Sequence, residues 1–342
     1  MADQDAANDH EWAKDDDGKV RYSKYLQLDK ILGAQKVTSN VHDEHLFVVI
    51  HQVYELWFAQ IRHEISSMCD EFGKGEKTNF LVISARLGRV NKILKLLVEQ
   101  IPILETMSPQ DFLEFRDNLF PASGFQSYQF RIIEYRIGFN EKTRTEFEND
   151  KEGYKKVMSD KEREEMEVEQ KKVSLFTCIE KWLESWPELD EKNFNFPAKF
   201  EQAILASIKP DEDKQKVEKK KSWYYSLIKQ EEHDKMVQAG SRRFSQKAFF
   251  GALMTYLYRD HPRFHVPYQI LNHLIEMDTL LMKWRYAHMC LVQYQIGNRP
   301  GTGGTSGVGY LQQTIRNNPK FFPDLMNMTT FFITKEHIPK LN

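Results

Sequence analysis

The sequence predicts an all-α protein, and three observations lead to that class. Apolar residues recur every three or four positions through most of the chain beyond Tyr22, which is the period of an amphipathic helix. No segment shows the alternation of apolar and polar residues that is typical of a half-buried strand. The length of 342 residues is sufficient for one large helical domain or two modest ones.

The N-terminal segment, residues 1–20, is polar and acidic. It offers too little apolar surface to offset the entropy of ordering, so we expect a disordered tail followed by a single helical domain over residues 21–342. Because the segment has no apolar centre, we expect no secretory signal peptide. No apolar run in the sequence reaches the length that spans a bilayer, so a membrane is not an expected partner.

Four segments have the strongest helical period: residues 21–35, 43–72, 81–107 and 267–296. Ser108 and Pro109 predict the start of a further helix, because serine caps a helix N-terminus and proline is favoured at the first helical position. The last long helix is predicted to end at the glycine-rich stretch 297–307. We expect residues 141–235 to form a charged helical insertion, whose charges are most simply explained as solvated helix faces.

The net charge and the cysteines indicate which kind of ligand and which cellular location to expect. A formal net charge of −2 gives no general attraction to nucleic acid or to an anionic membrane, so a small-molecule substrate is favoured. Cys69, Cys178 and Cys290 are odd in number and far apart, which predicts reduced thiols and a cytoplasmic location. Aromatic residues make up 13% of the chain, enough to wrap a large aromatic ligand, although the same residues also fill cores.

Two histidines occur on apolar helix faces. His51 shares a stripe with Phe47, Tyr54 and Phe58, and His288 lies in the middle of an apolar stripe on the last long helix. Each pattern fits a buried histidine that hydrogen-bonds a neighbour, and each also fits the wall of a ligand pocket. A neutral imidazole in an apolar groove is what an axial haem ligand requires. Because the chain has no Cys-x-x-Cys-His sequence, any haem would be bound without covalent attachment.

Arg116 lies on the same helix face as Phe112. Such an arginine is often a stacked or solvent-reaching side chain, but its guanidinium can also bind a carboxylate with two parallel hydrogen bonds. The stretch 297–307 contains five glycines, which suits backbone that closes over a ligand. It follows a helix and lacks Gly-Lys-Ser/Thr, so it does not fit a nucleotide-binding loop.

The sequence lacks the residue spacings that other common metal sites require. None of the eleven histidines has a glutamate three residues before it, as a ferritin-like di-iron site requires, and His-Glu-x-x-His is absent. His42 and His45 could supply two nitrogens from one helical turn, but no carboxylate or cysteine of obvious phase accompanies them.

Five motifs occur in order between about residues 22 and 340: HDEHLFVVIHQVYELWF, ILETMSPQDFLEFRDNLFPASGFQS, ALMTYLYRDHPRF, KWRYAH and GTGGTSG. Together they resemble the tryptophan 2,3-dioxygenase family, especially its animal-type members. The resemblance implies a helical subunit that binds one haem b and assembles into a homotetramer built as a dimer of dimers. It also implies a reaction of L-tryptophan with O₂ to give N-formylkynurenine, the first step of tryptophan catabolism by the kynurenine pathway.

The resemblance implies which residues contact the haem. His288 in KWRYAH matches the proximal iron ligand, and Trp284 matches its neighbour one turn earlier. Ser123 in PASGF matches a residue near the haem edge. Ala287 departs from the family, which usually has Asn just before the proximal histidine, and alanine has no side-chain hydrogen-bonding group to offer on that side of the iron.

The resemblance also implies a substrate site. His51 matches the distal histidine that faces the indole N–H, and it is the candidate catalytic residue. Phe47 and Phe112 match aromatic pocket walls. Arg116 in FRDNL and Thr302 in GTGGT match the residues that hold the carboxylate and ammonium of the substrate.

Tyr22 and Tyr25 match N-terminal tyrosines that, in this family, enter the active site of a neighbouring subunit. A second departure is Thr305, where the family usually has Ser after Gly-Thr-Gly-Gly.

Three alternative functions remain at this point: a catalytically silent haem or tryptophan sensor, a purely structural helical scaffold, and a broader indoleamine dioxygenase. The combination of Arg116 with the Gly-Thr-Gly-Gly loop favours the strict L-tryptophan enzyme.

Overall fold

The computed structural model describes residues 11–139, 158–208, 214–302, 307–317 and 320–341. Helices dominate these ranges, and the one β interaction within them is an isolated antiparallel bridge between Lys14 and Val20. The predicted all-α class is therefore confirmed. None of the described helices has an apolar run that would let it span a bilayer.

The α-helices are numbered in chain order. They are α1 (Tyr22–Tyr25), α2 (Leu28–Leu32), α3 (His42–Phe72), α4 (Phe80–Leu104), α5 (Pro109–Arg116), α6 (Tyr128–Ile137), α7 (Asp160–Gln170), α8 (Leu175–Glu184), α9 (Phe196–Ala206), α10 (Lys214–Ile228), α11 (Gln230–Gln238), α12 (Gln246–Leu257), α13 (Pro262–Ile296), α14 (Val308–Asn317) and α15 (Pro323–Met326). Short 3-10 turns connect several of them.

Helices α3, α4 and α13 form the centre of the fold. Helix α13 packs along α4, and α3 packs against both α4 and α6. Side chains at helical spacing are completely buried there, among them Ile65 on α3, Leu87 on α4 and Leu274 on α13. The hydroxyl of Tyr54 donates a hydrogen bond to the carbonyl of Leu97 at 2.6 Å, so this polar group between α3 and α4 is paired as burial requires.

Two buried carboxylates attach the C-terminal segment to the helices. Asp278 of α13 accepts the backbone N–H groups of Phe321 and Phe322 at 2.9 and 2.7 Å. Asp324 accepts two more backbone N–H groups from the loop before α12, each at 2.8 Å. Burial raises the pKa of Asp278 to about 6, against the opposing effect of these hydrogen bonds. The C-terminal segment is therefore attached both to α13 and to the loop before α12.

The helix predicted after Ser108 is confirmed. The hydroxyl of Ser108 accepts the backbone N–H of Asp111 at 3.1 Å, and Pro109 occupies the first helical position. The last long helix begins at Pro262 rather than at residue 267, because the His261 side chain accepts the N–H of Arg263 and caps an earlier turn.

The single helix predicted over residues 21–35 is wrong. Helices α1 and α2 are separated at Gln27, whose φ of 49° lies in the left-handed region. No residue of α1 or α2 is buried, so no packed face compensates for the cost of nucleating one continuous helix. Residues 11–20, within the expected tail, contain a 3-10 turn over Glu11–Ala13 and a loop that the Lys14–Val20 bridge closes. Residues 1–10 lie outside the described residues.

The predicted charged insertion contains α7 to α11 in its described part, whereas residues 140–157 and 209–213 lie outside it. Its buried side chains, such as Phe200 of α9, belong to the same apolar core as those of α3 and α13. The division of the chain into tail, domain and insertion stays a prediction.

We expect Gly251→Ala to destabilise the protein and Gly88→Ala to leave its stability unchanged or slightly raised. A Cβ atom at residue 251 of α12 would lie 2.2 Å from the carbonyl oxygen of Leu183, so α8 and α12 would have to separate at a cost of roughly 1–3 kcal/mol. A Cβ atom at residue 88 of α4 would meet His273 at an ordinary 3.7 Å, and alanine favours a helix interior by about 0.5–1 kcal/mol. Urea unfolding of both variants measures the difference. Equal free energies of unfolding for Gly251→Ala and Gly88→Ala would contradict the close crossing of α8 and α12.

Candidate active site

A cavity opens between α3, α5, α6 and α13, beneath the segment that follows α13. It contains about 1370 Å³ of space free of protein atoms, including its mouth. Eight of the candidate residues line it: Phe47, His51, Phe112, Arg116, Ser123, Trp284, His288 and Thr302.

His288 projects from α13 into the cavity. Its ring stacks on that of Trp284, with centroids 5.8 Å apart and an interplanar angle of 8°. Burial, together with the neighbouring His51, lowers the pKa of His288 to about 4. The imidazole is therefore neutral near pH 7, which is the form that binds a metal ion.

His51 lies on α3 and lines the same cavity. Its Nδ1 is 2.7 Å from the carbonyl oxygen of Phe47, and a carbonyl can only accept, so Nδ1 carries the proton. Burial lowers the pKa of His51 as well, against the opposing effect of this hydrogen bond. A neutral ring protonated at Nδ1 has a lone pair on Nε2. His51 therefore presents a hydrogen-bond acceptor on the side away from its own helix backbone.

Aromatic rings form the wall next to His51. Phe47 contacts the His51 ring at 4.1 Å between centroids, Phe112 at 5.8 Å and Phe115 at 5.6 Å. Phe112 and Phe115 meet edge to face at 5.4 Å. Phe47 of α3 and Phe112 of α5 thus give the cavity an aromatic wall that suits a planar aromatic ligand, and Phe115 packs on both of them without lining the cavity.

Arg116 and Thr302 connect the segment after α13 to α5 and the turn that follows it. A terminal nitrogen of the Arg116 guanidinium donates a hydrogen bond to the carbonyl of Pro300. The hydroxyl of Thr302 donates to the carbonyl of Ala122 at 2.7 Å. Gly307 has a φ of 60°, and a Cβ atom there would lie 3.0 Å from the carbonyl of Arg299, so this turn requires glycine. Residues 303–306, which include Thr305, lie outside the described residues.

Among the cavity residues that the sequence did not single out, three are charged. Glu134 of α6 pairs with Arg131 at 2.9 Å and with Arg285 of α13 at 3.1 Å, and all three line the cavity. A signal was present in the helical pattern, because Glu134 lies four residues after Phe130 and three residues before Ile137, on the same face of α6. A charged residue that the period places on a buried face indicates a partner or a site.

Among the described residues, no group of three or more His, Cys, Asp or Glu side chains is arranged to hold a metal ion. The His42–His45 pair on the first turn of α3 accordingly has no third ligand of these types in the described ranges. His288 lines a cavity whose other walls are largely aromatic and aliphatic. A metal bound here through His288 would need its remaining ligands from a cofactor or from small molecules.

The comparison with protein families decides the assignment. The family model described as tryptophan 2,3-dioxygenase matches residues 5–332. The chain belongs to the tryptophan 2,3-dioxygenase family. A tryptophan 2,3-dioxygenase of Xenopus tropicalis is 41% identical over 95% of this chain and 85% of its own length. Tryptophan 2,3-dioxygenase A of Danio rerio is 41% identical, and the Mus musculus protein 40% identical, over the same shares. The family predicted from the sequence is confirmed, and with it the dioxygenase class.

Tyr22 and Tyr25 are the two candidate residues of this family member that do not line the cavity of their own chain. Tyr22 is 76% exposed and Tyr25 57% exposed, and Tyr25 stacks on Trp12 at 5.9 Å. The side chain of Gln52 donates a hydrogen bond to the carbonyl of Ala34, which attaches the end of this segment to α3. Both tyrosines are therefore placed on the surface of the described chain.

Proposed function

We propose that the cavity between α3 and α13 binds one haem b per chain and is the site at which L-tryptophan reacts with O₂. The product is N-formylkynurenine, formed in the first step of the kynurenine pathway, as expected of a dioxygenase of this family. One observation carries the proposal: two neutral imidazoles, His288 and His51, line a single aromatic cavity next to Arg116.

The residues of the α13 wall fit a haem. His288 is neutral and faces the cavity, and its stacking on Trp284 restricts the orientation of the ring. The apolar and aromatic lining suits a porphyrin face, and Ser123 and Gly124 line the cavity at the turn after α5. His288 would be the proximal ligand, and Trp284 would orient it.

A bound haem supplies O₂ activation, and the chain supplies orientation and exclusion of water. The Nε2 lone pair of His51 accepts the indole N–H of the substrate, because the Phe47 carbonyl keeps the proton on Nδ1. Phe47 and Phe112 pack on the indole ring and keep water away from it. His51 thus fixes which edge of the indole faces the cofactor.

Arg116 and Thr302 bind the amino-acid end of L-tryptophan in this proposal. A carboxylate taken from water into an aromatic cavity needs a charged partner, and the guanidinium of Arg116 provides one. The substrate carboxylate replaces the Pro300 carbonyl as the acceptor for Arg116. Thr302, whose hydroxyl is held against Ala122, lies on the loop that covers this end of the cavity.

We further propose a cytoplasmic homotetramer built as a dimer of dimers. Tyr22 and Tyr25 belong to a segment, residues 20–37, in which seven large apolar or aromatic side chains are exposed. Exposed apolar side chains that are concentrated in one segment are typical of a surface that contacts a partner, which supports an N-terminal segment that enters the cavity of a neighbouring subunit. No residue of α1 or α2 is buried in its own chain, which supports the same exchange.

We expect His288→Ala to lose haem and His51→Ala to retain it with lower turnover. The first change removes the iron ligand, whereas the second removes only the acceptor for the indole N–H. Purified variants are compared by Soret absorbance per chain and by kcat for L-tryptophan. His265→Ala, a change on an exposed residue of α13 outside the cavity lining, is the control and should keep both. Full haem occupancy in His288→Ala with an unchanged ferrous spectrum would contradict the ligand assignment.

We expect Arg116→Ala to lower kcat/KM for L-tryptophan by roughly 30- to 3,000-fold, which corresponds to the loss of about 2–5 kcal/mol when one member of a buried charged pair is removed. Tryptamine has no carboxylate, so it should be a poor substrate of the parent enzyme and should lose much less on the same change. Steady-state rates with both compounds measure the difference. An equal penalty for the two substrates would show that Arg116 does not bind the carboxylate.

We expect a chain lacking residues 1–28 to be inactive alone and to regain turnover in mixed tetramers with full-length His288→Ala chains. The truncated chain keeps its own cavity but lacks Tyr22 and Tyr25, which the His288→Ala partner supplies. A chain lacking only residues 1–20 is the control and should be active alone. Differently tagged subunits are co-expressed, and doubly tagged tetramers are isolated and assayed. Assembled mixed tetramers without turnover would contradict a shared active site.

A further inference from the structure

Cys69 of α3 and Cys178 of α8 are more than 100 residues apart in sequence, yet the fold brings their thiols together. The two thiols form a hydrogen bond with each other. Both cysteines are free, and each is 9% exposed. One turn further along both helices, the rings of Phe72 and Trp182 pack at 6.1 Å between centroids. Two successive pairs of side chains therefore join α3 to α8.

The surroundings of the pair make the two thiols chemically unequal. The hydrogen bond from Cys69 lowers the pKa of the Cys178 thiol, and the guanidinium of Arg136 lowers it further, against the opposing effect of burial. Lys181 and Asp70, the other charged neighbours, act on that pKa in opposite directions. The same hydrogen bond, together with burial, raises the pKa of Cys69. Cys178 therefore ionises first, and the proton that Cys69 keeps stabilises the thiolate.

The exposure of the pair limits which reactants can reach it. A small part of each cysteine is accessible to solvent, whereas the neighbouring Met68 and Ile179 are completely buried. Such an opening suits a reactant not much larger than water, and hydrogen peroxide is one. Susceptibility of a cysteine to peroxide depends on its thiolate character and on its exposure. Cys178 has the first property, and the pair has enough of the second for a small oxidant.

We propose that Cys69 and Cys178 are a modification site for hydrogen peroxide, at which a reversible disulfide forms between α3 and α8. The Cys178 thiolate attacks one peroxide oxygen, the O–O bond breaks, and the second oxygen takes a proton from solution and leaves as water. Cys178 is then a sulfenic acid. The Cys69 sulfur attacks the Cys178 sulfur, the S–O bond breaks, and the hydroxyl leaves as water with the Cys69 proton. The two thiols lose two electrons in total, and the peroxide gains them.

The disulfide would cross-link the helix that carries His51 to α8. It closes a loop of more than 100 residues and stabilises the folded chain, because it restricts the unfolded one. A thiol reductant reverses it by thiol–disulfide exchange, in keeping with the reduced thiols that the sequence predicts for the resting protein. Neither cysteine lines the cavity, so the site does not depend on the proposed haem function. The alternative is a pair of thiols that only fills the core.

The test uses the purified full-length protein and its Cys69→Ala, Cys178→Ala and Cys290→Ala variants. Cys290 is the matched control, because it is the remaining cysteine of the chain and lies on α13, outside the pair. Each protein is treated with hydrogen peroxide at concentrations that leave the Soret band unchanged, and free thiols are then alkylated. Peptide mapping without reductant identifies cross-linked peptides, and dimedone labels any sulfenic acid.

We expect the parent and Cys290→Ala to give a peptide that links Cys69 to Cys178 and that dithiothreitol separates. Cys69→Ala should stop at a sulfenic acid on Cys178. Oxidation of Cys69 in Cys178→Ala should be at least about tenfold slower, the factor that one unit of pKa makes in the thiolate fraction. Cross-linking should raise the midpoint of thermal unfolding of the parent by at least about 2 °C, and peroxide should not raise it in the two variants of the pair.

The parent protein alone decides between the modification site and core filling, so the result does not depend on how well the variants fold. A parent that keeps all three thiols free, or a disulfide that includes Cys290, would overturn the proposal. A lower midpoint after cross-linking would also overturn it, because α3 and α8 would then have to be distorted to form the disulfide. Sulfenic acid on Cys69 in Cys178→Ala, without any on Cys178 in Cys69→Ala, would overturn the order of the two steps.

Discussion

The packing of α13 along α4 is the constraint on which the site depends. It buries one face of a 35-residue helix and directs His288 into the cavity formed with α3. Apolar surroundings keep the imidazole neutral, because they disfavour its charged form. Asp278 then attaches the C-terminal segment to the same helix through two backbone N–H groups. The helix that positions the predicted iron ligand is thus fixed at several points along its length.

The two imidazoles have different local environments, and these fit the two roles proposed for them. The ring of His51 is tied to its own helix, since the Phe47 carbonyl holds its Nδ1 proton. The ring of His288 stacks flat on Trp284, one turn earlier on α13. A helix thereby offers two ways to orient a histidine: a hydrogen bond to the preceding turn, or a ring-to-ring contact with it. The hydrogen bond leaves Nε2 of His51 as an acceptor, and the stacking on Trp284 leaves the ring edge of His288 facing the cavity.

Helical periodicity was sufficient to predict the fold class, the long helices and the stripes that contain His51 and His288. The cap at Ser108 was also predictable, because capping depends on residues adjacent in sequence. The break at Gln27 was not predictable, since the periodicity does not reveal that α1 and α2 bury no residue in the described chain and so have no packed face to stabilise one continuous helix. The ion pairs of Glu134 were missed for a related reason: Arg131 is three residues from Glu134, but Arg285 is 151 residues beyond it. Pairings between distant helices follow from tertiary packing, which periodicity does not encode. The roles proposed for Arg116 and Thr302 come from the family motifs, because local pattern alone left them open.

The hydrogen bond from Arg116 to the Pro300 carbonyl has a consequence for substrate affinity. One terminal nitrogen of its guanidinium already has a neutral acceptor, whereas the buried Nε has no hydrogen-bond partner among the described residues. In the proposed complex, a carboxylate that takes the place of the Pro300 carbonyl exchanges a neutral acceptor for a charged one at that terminal nitrogen. Part of the affinity for the carboxylate would then be the difference between two hydrogen bonds of unequal strength. Ligands with a neutral acceptor gain little from that exchange, whereas a carboxylate gains the full advantage of its charge. In the proposed site, the loop thereby acts as an internal competitor for Arg116, and selectivity for a carboxylate would depend in part on a contact that contains no substrate atom.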